Sequence, residues 1–224
     1  MSAPPLQSRF LAFHERIKLD NADELAILRD KRDAILRRMR DRSLTFDAFN
    51  QGSYAMGTGV LPVEGDFDID VGIVLTGPER PKDPLDAKTR VYDAVRGHTP
   101  NVEWRRHCIR VQYVKAGQPS VHVDLPVYWK SQDWWGASTY HLAVGKQHSS
   151  LEHRSWELSE PLRFIEKVKE FLDGEQRQQF RRVVRYLKRW KDVCFRSEGN
   201  AAPVGIGLTV VALEFFQPRY VGFL

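Results

Sequence analysis

The run DFDIDVGIVL at 66–75 constrains this chain more than any other, because acidic and apolar residues alternate there and then give way to an unbroken aliphatic stretch. Successive side chains of a strand point to opposite faces, so Asp68 and Asp70 fall on one face and Ile69 on the core side, with the two aspartate Cα atoms roughly 6.5–7 Å apart. Asp66 shares their face and is the rival for the first position; Asp68 and Asp70 are favoured because they directly adjoin the hydrophobic run. Two carboxylates converging from a strand suit magnesium, a hard ion that takes oxygen ligands.

A third carboxylate is available in SVHVDLPVYW, expected to be one strand over 120–129. Val121, Val123, Leu125 and Val127 alternate there with His122, Asp124 and Pro126, which puts Asp124 on the face opposite the valines. Asp68, Asp70 and Asp124 would then hold two Mg2+ ions, with Mn2+ able to replace them, roughly 3.5–4 Å apart. Such a pair activates an attacking hydroxyl and neutralises a triphosphate and its departing pyrophosphate. Upstream, Gln51-Gly52-Ser53-Tyr54 offers a Gly-Ser turn whose N–H groups and hydroxyl can approach phosphate oxygens. Alone such a turn means little; ahead of a strand-borne Asp-x-Asp it becomes informative.

Helical spacing of Leu25, Leu28, Ile35, Leu36 and Met39 predicts an amphipathic helix over 21–41, with Asp20 or Asn21 as its cap. Residues 83–97 read as a helix and 107–114 as a strand, whereas 130–156 show no sustained period and are expected to be a long loop at a lobe boundary. SEPLRFIEKVKEFLDG then reads as a helix stopped by Gly174, followed by a basic helix over 175–195 and the apolar GLTVVALEFF. The expected organisation is a helical segment at 1–44, a core at 45–150 and a helical lobe at 151–224 that is expected to be incomplete; no repeat is visible.

The 224 residues, 42% of them apolar, suffice for a core without staples, and Cys108 and Cys194 form no metal or disulfide pattern. These features, with no apolar leader or membrane-length stretch, lead us to expect a cytoplasmic chain without membrane contact. A net charge of +5 and a pI near 9.2 mildly favour polyanionic partners.

QGSYAMGT at 51–58, DFDIDVGI at 66–73 and VHVDLPVYW at 121–129 together resemble the polymerase-β-like nucleotidyltransferases, and among them the bacterial cyclic-oligonucleotide synthases related to cGAS and oligoadenylate synthase. SWELSEPLRFIEKVKEFL and VRYLKRWKD extend the resemblance over about 45–215. It implies an α+β fold with a nucleotidyltransferase lobe, a helical lobe and the site in the cleft between them. It further implies nucleoside triphosphates held by Gln51, Gly52, Ser53, Tyr54 and Lys188, an activator protein or nucleic acid, and an effector that reads a cyclic product in antiphage signalling. Pro203-Val204-Gly205 departs from the family's Pro-Ser, which removes a second hydroxyl.

Several features have plainer readings. The other cations of 175–195 (Arg177, Arg181, Arg182, Arg185, Arg189, Lys191) read mostly as a solvated face, His148 and His153 as surface residues, and Trp134 and Trp135 as packing at the lobe boundary rather than base-stacking platforms. The His122-x-Asp124 pair lacks the second histidine pair of a metallohydrolase. Rival functions are nucleotidyl transfer to tRNA or protein, and a binding module without turnover, which three uncompensated carboxylates argue against.

Overall fold

The computed structural model describes residues 5–20, 22–63, 67–115, 118–132, 134–195 and 202–218; Asn21 and Asp66 lie outside these. The alternating run becomes β2 (Phe67–Leu75), and the sheet is assembled on its two edges. On one edge β1 (Asp47–Gln51) runs antiparallel, with Gln51 opposite Asp70. On the other, β5 (Gln118–Leu125) and β6 (Val127–Gln132) run parallel to β2.

The single strand expected over 120–129 is therefore two strands, divided at Pro126. Proline has no N–H to give the ladder, yet its carbonyl still accepts the Ile73 N–H at 2.9 Å. The register passes through the break unchanged, from Phe67 opposite Val121 to Ile73 opposite Val127, so both strands lie on the same edge of β2. From β5 the sheet grows through β4 (Ile109–Lys115) to β3 (Asn101–Trp104), and from β6 through β7 (Ser138–Val144) to β8 (Ser155–Ser159), giving eight mixed strands.

The stretch 130–156 is thus not a long loop. STYHLAV forms β7 although it alternates poorly, because only Ala143 and Val144 are buried and the rest is supported by ladders to β6 and β8. Trp134 and Trp135 stand in the turn between β6 and β7, 93% and 88% exposed, so the packing role expected for them is not observed.

Helices α1 (Pro5–Ile17) and α2 (Ala22–Asp41) open the chain, and α4 (Pro84–Val95) follows β2, after the short α3 (Gly52–Met56) has led away from β1. Leu28, Ile35 and Met39 of α2 and Ala87, Val91, Ala94 and Val95 of α4 pack against Ile69, Val71, Ile73, Val121, Val123, Leu125 and Val127. Covering that face with helices leaves the aspartates on the other. Lys88 of α4 is fully buried and donates to three carbonyls, of Arg105 (2.6 Å), Arg106 (3.0 Å) and Gly145 (2.8 Å), tying the β3–β4 turn to the end of β7. Burial lowers its pKa to about 8.

A second core joins α3 to α5 (Pro161–Glu170), α6 (Gly174–Cys194) and α7 (Gly205–Phe215), through Met56, Ile165, Val168, Phe180, Val184 and Ala212. Pro161 takes the first turn of α5, as expected. Gly174 does not stop that helix: α5 ends at Glu170, and Gly174, at φ 50°, begins α6. No helix among the described residues is long and apolar enough to cross a membrane.

Candidate active site

Strand alternation is realised at the aspartates: Ile69 is buried, Asp68 is exposed and Asp70 is partly buried on the opposite face. Asp124 faces the same way, because β5 is in register with β2 and places it directly opposite Asp70. Burial, followed by the charges of Asp68 and Asp124, pushes the Asp70 carboxyl up to about 7. The three carboxylates are thus electrostatically coupled, with a deficit of positive charge.

Part of that deficit is met by Arg110, which the sequence reading missed. It lies opposite Asp124 across the antiparallel β4–β5 ladder and donates Nε and Nη2 to the two Asp124 oxygens at 2.7 and 2.8 Å. Only the register of that hairpin reveals the pairing; the presence of an arginine in HCIRVQYV gives no sign of it. Among the described residues, no three acidic, histidine or cysteine side chains already close on one point. The donor set nevertheless suits a hard divalent ion: the candidate ligand atoms are carboxylate oxygens, and Asp70 is held in its proton-binding range by burial and then by the charges of Asp68 and Asp124, which a cation would offset.

The phosphate-binding turn expected at Gln51–Ser53 lies against these carboxylates. Gly52 has φ 64°, and a Cβ there would fall 2.0 Å from Asp70 Oδ2, so both its backbone conformation and its missing side chain are required. Gln51, Gly52, Ser53, Asp68, Asp70 and Lys188 all line a cavity of about 1150 Å³ whose other wall comes from α5, α6 and α7. That volume is at the upper end for small-ligand sites, with room for a nucleotide and its ions. Tyr54 does not line it and packs instead against the sheet core. Val204 is the N-cap of α7, and Gly205, Ile206 and Thr209 reach the cavity wall without a serine among them.

Lys188, 8% exposed, donates to the Thr58 carbonyl at 3.1 Å and to its hydroxyl at 3.3 Å. Burial lowers its pKa to about 8, against the opposing pull of Asp68 and Asp70. Its neighbours on α6 correct the expectation of a mostly solvated face. Arg185 is buried and donates to the carbonyls of Gly57 (2.7 Å) and Gly59 (3.0 Å), and Arg189 donates to that of Leu61. Arg177 and Arg182, both partly buried, instead pair with the exposed carboxylates of Asp173 and Glu175. An arginine can only donate, so the contact of Arg185 Nη1 with His14 Nε2 at 2.9 Å makes that nitrogen an acceptor and His14 neutral. Burial and then Arg185 lower the His14 pKa accordingly.

A second, more open cavity of about 1310 Å³ adjoins the first. Gln51, Asp70, Tyr128 and Ile206 line both, so they form the shared wall, and Asp124 lies in the second. His148 is exposed at its rim, His153 is exposed elsewhere, and His122 is buried beside the first cavity. Cys108 and Cys194 are free thiols, the former buried.

Residues 47–128 match the family described as cyclic GMP-AMP synthase DncV-like, nucleotidyltransferase domain. Among solved structures, the fold is similar to that of the CD-NTase CdnG of Bradyrhizobium diazoefficiens in complex with GTP, at a TM-score of 0.74 and 14% identity, covering 95% of this chain and 71% of that one. Vibrio cholerae DncV in its 3′-deoxy ATP bound form matches at 0.70 and 17% identity, over 93% of this chain and 71% of that one. CdnC of E. coli MS115-1 with ATP matches at 0.64 and 18%, over 92% of this chain but only 63% of that one. Residues 47–128 thus match a DncV-like nucleotidyltransferase domain, and the described chain as a whole is similar in its α+β fold to the solved CD-NTases CdnG, DncV and CdnC.

Proposed function

We propose that this chain is a nucleotidyltransferase that joins nucleoside triphosphates into a cyclic di- or oligonucleotide in a magnesium-dependent reaction. The observation that carries the reading is the alignment of Asp68, Asp70 and Asp124 on one face of the parallel β2–β5 pair, across from the Gly52–Ser53 turn. A 3′ or 2′ hydroxyl oxygen of one nucleotide attacks the α-phosphorus of another, the bond to the bridging oxygen breaks, and pyrophosphate and a proton leave. The linear product then repeats the step on itself.

Asp68, Asp70 and Asp124 would hold the ions, which supply hydroxyl activation and neutralisation of the triphosphate. Gly52 N–H and the Ser53 hydroxyl would bind phosphate oxygens and Lys188 would add a cation from the helical side, a reading supported by the position of all three on the wall of the first cavity. Arg110 holds Asp124 in orientation before ions arrive. The two cavities meeting at Asp70 fit a donor and an acceptor nucleotide lying to either side of the reacting phosphate. A cytoplasmic signalling role in phage defence, with a downstream effector and an activator, follows from the family resemblance and belongs to the same proposal.

The test is incubation with labelled ribonucleoside triphosphates, singly and in pairs, with Mg2+ or Mn2+, followed by chromatography. Small phosphatase-resistant products are expected, lost in Asp68→Asn with the fold retained. Label appearing only in tRNA or protein would replace the cyclic product by a macromolecular acceptor, and no transfer under any metal or activator would refute the reading.

A further inference from the structure

The wall between the two cavities contains a hydrogen-bonded chain whose contacts the sequence does not reveal. Tyr128 of β6 is 3% exposed, and its hydroxyl lies 3.0 Å from Gln51 Oε1. The Ser159 hydroxyl, at the end of β8, hydrogen-bonds the same phenolic oxygen. Burial pushes the Tyr128 pKa up to about 12, so the phenol keeps its proton at any physiological pH. It therefore has one O–H to give, and the amide oxygen of Gln51 can only accept.

This fixes which end of Gln51 is free. Gln51 is the N-cap of α3, yet its side chain makes no capping bond, and it sits directly opposite Asp70 on the neighbouring strand. With Oε1 held by Tyr128, the Nε2 amide turns its two N–H donors away from the phenol, at a residue that lines both cavities. Among the described residues nothing else engages it. Donors already oriented where charge grows on non-bridging phosphate oxygens stabilise a transition state without reorganisation.

We propose that Tyr128 is a positioning residue that acts through Gln51: its hydroxyl holds the Gln51 amide oxygen and thereby aims the amide N–H groups at an oxygen of the reacting phosphate. The role rests on the nucleotidyltransferase reading above. Tyr128→Phe keeps the ring and removes only the oriented bond. Its kcat is expected to fall about tenfold, with the Kd for a non-hydrolysable triphosphate analogue within twofold of wild type, since Gln51 faces the reaction centre rather than the triphosphate tail. Gln51→Ala should lose at least as much, and Tyr128→Phe/Gln51→Ala should be no worse than Gln51→Ala alone.

Multiplying losses in the double variant, or an unchanged kcat in Tyr128→Phe, overturns the proposal. A readout independent of turnover is the 13C shift of the Gln51 amide carbonyl, which accepting a hydrogen bond moves downfield. Tyr128→Phe should move it upfield; an unmoved carbonyl with displaced amide protons means that Gln51 faces the other way, and overturns the proposal. If wild type transfers no nucleotide, the transferase reading fails while the carbonyl shift still decides the orientation.

Discussion

Asp70→Asn should leave the metal-free protein more stable than wild type while destroying its activity. The Asp70 carboxyl is pushed from 3.8 up to about 7, first by burial and then by Asp68 and Asp124. Three pKa units correspond to about 4 kcal/mol; because water still reaches the partly buried side chain, about 2–4 kcal/mol is the working figure. The sign follows from proton counting. Between pH 4 and 7 the folded state keeps a proton that the unfolded chain has released, so this group makes stability fall as pH rises through that window and level off above it.

Asparagine removes the ionisation and keeps the shape. Thermal unfolding in EDTA should therefore show the variant matching wild type near pH 4 and exceeding it by about 4–16 °C at pH 8, at roughly 2–4 °C per kcal/mol for a domain of this size. Added Mg2+ should raise the midpoint of wild type and not of the variant. A variant that melts at or below wild type at pH 8, or a difference independent of pH, would refute the reasoning that burial and the neighbouring carboxylates disfavour the charge of Asp70 in the folded state.

Three further substitutions test separate parts of the site. Gly52→Ala should cost more than about 1 kcal/mol, from its φ of 64° and the clash with Asp70, and should abolish turnover; calorimetry and product assay read the two effects. Arg110→Gln strips Asp124 of its bidentate partner, and a loss of about 2–4 kcal/mol in denaturant unfolding is expected, the residues being 21% and 14% exposed. Lys88→Met should lower the unfolding midpoint by several degrees, because the Arg105 carbonyl loses its donor while those of Arg106 and Gly145 keep only the Gly145 N–H and the Trp104 indole N–H, and should speed hydrogen exchange at 105–108 more than in β2.

The aspartates and the Gly-Ser turn were legible in the sequence because their placement follows from local rules: period two in a strand, and a glycine where backbone must approach a carboxylate. Lys188 was indicated by resemblance, and it does reach the first cavity. Arg110 and Tyr128 were not legible, since their roles depend on which residue lies across a ladder or a cavity wall, and a one-residue change in register would remove them. The segment 130–156 was misread for a related reason: β7 takes its order from β6 and β8 rather than from its own alternation. Tyr54 was included in the site with the rest of the QGSY resemblance, whereas α3 turns it toward the sheet core.

The grip of α6 on residues 57–61 also determines how the molecule can move. Arg185, Lys188 and Arg189 lie within little more than one helical turn and hold the carbonyls of Gly57, Thr58, Gly59 and Leu61. Thr58 N–H in turn bonds the Ser53 carbonyl at 2.9 Å, so the strip is continuous with the turn that faces the carboxylates. Helix and turn are therefore tied into one lever: a tilt of α6 would carry Ser53 and Lys188 together, so the spacing of these two groups, proposed to bind phosphate, would be preserved through a rocking of the helical layer.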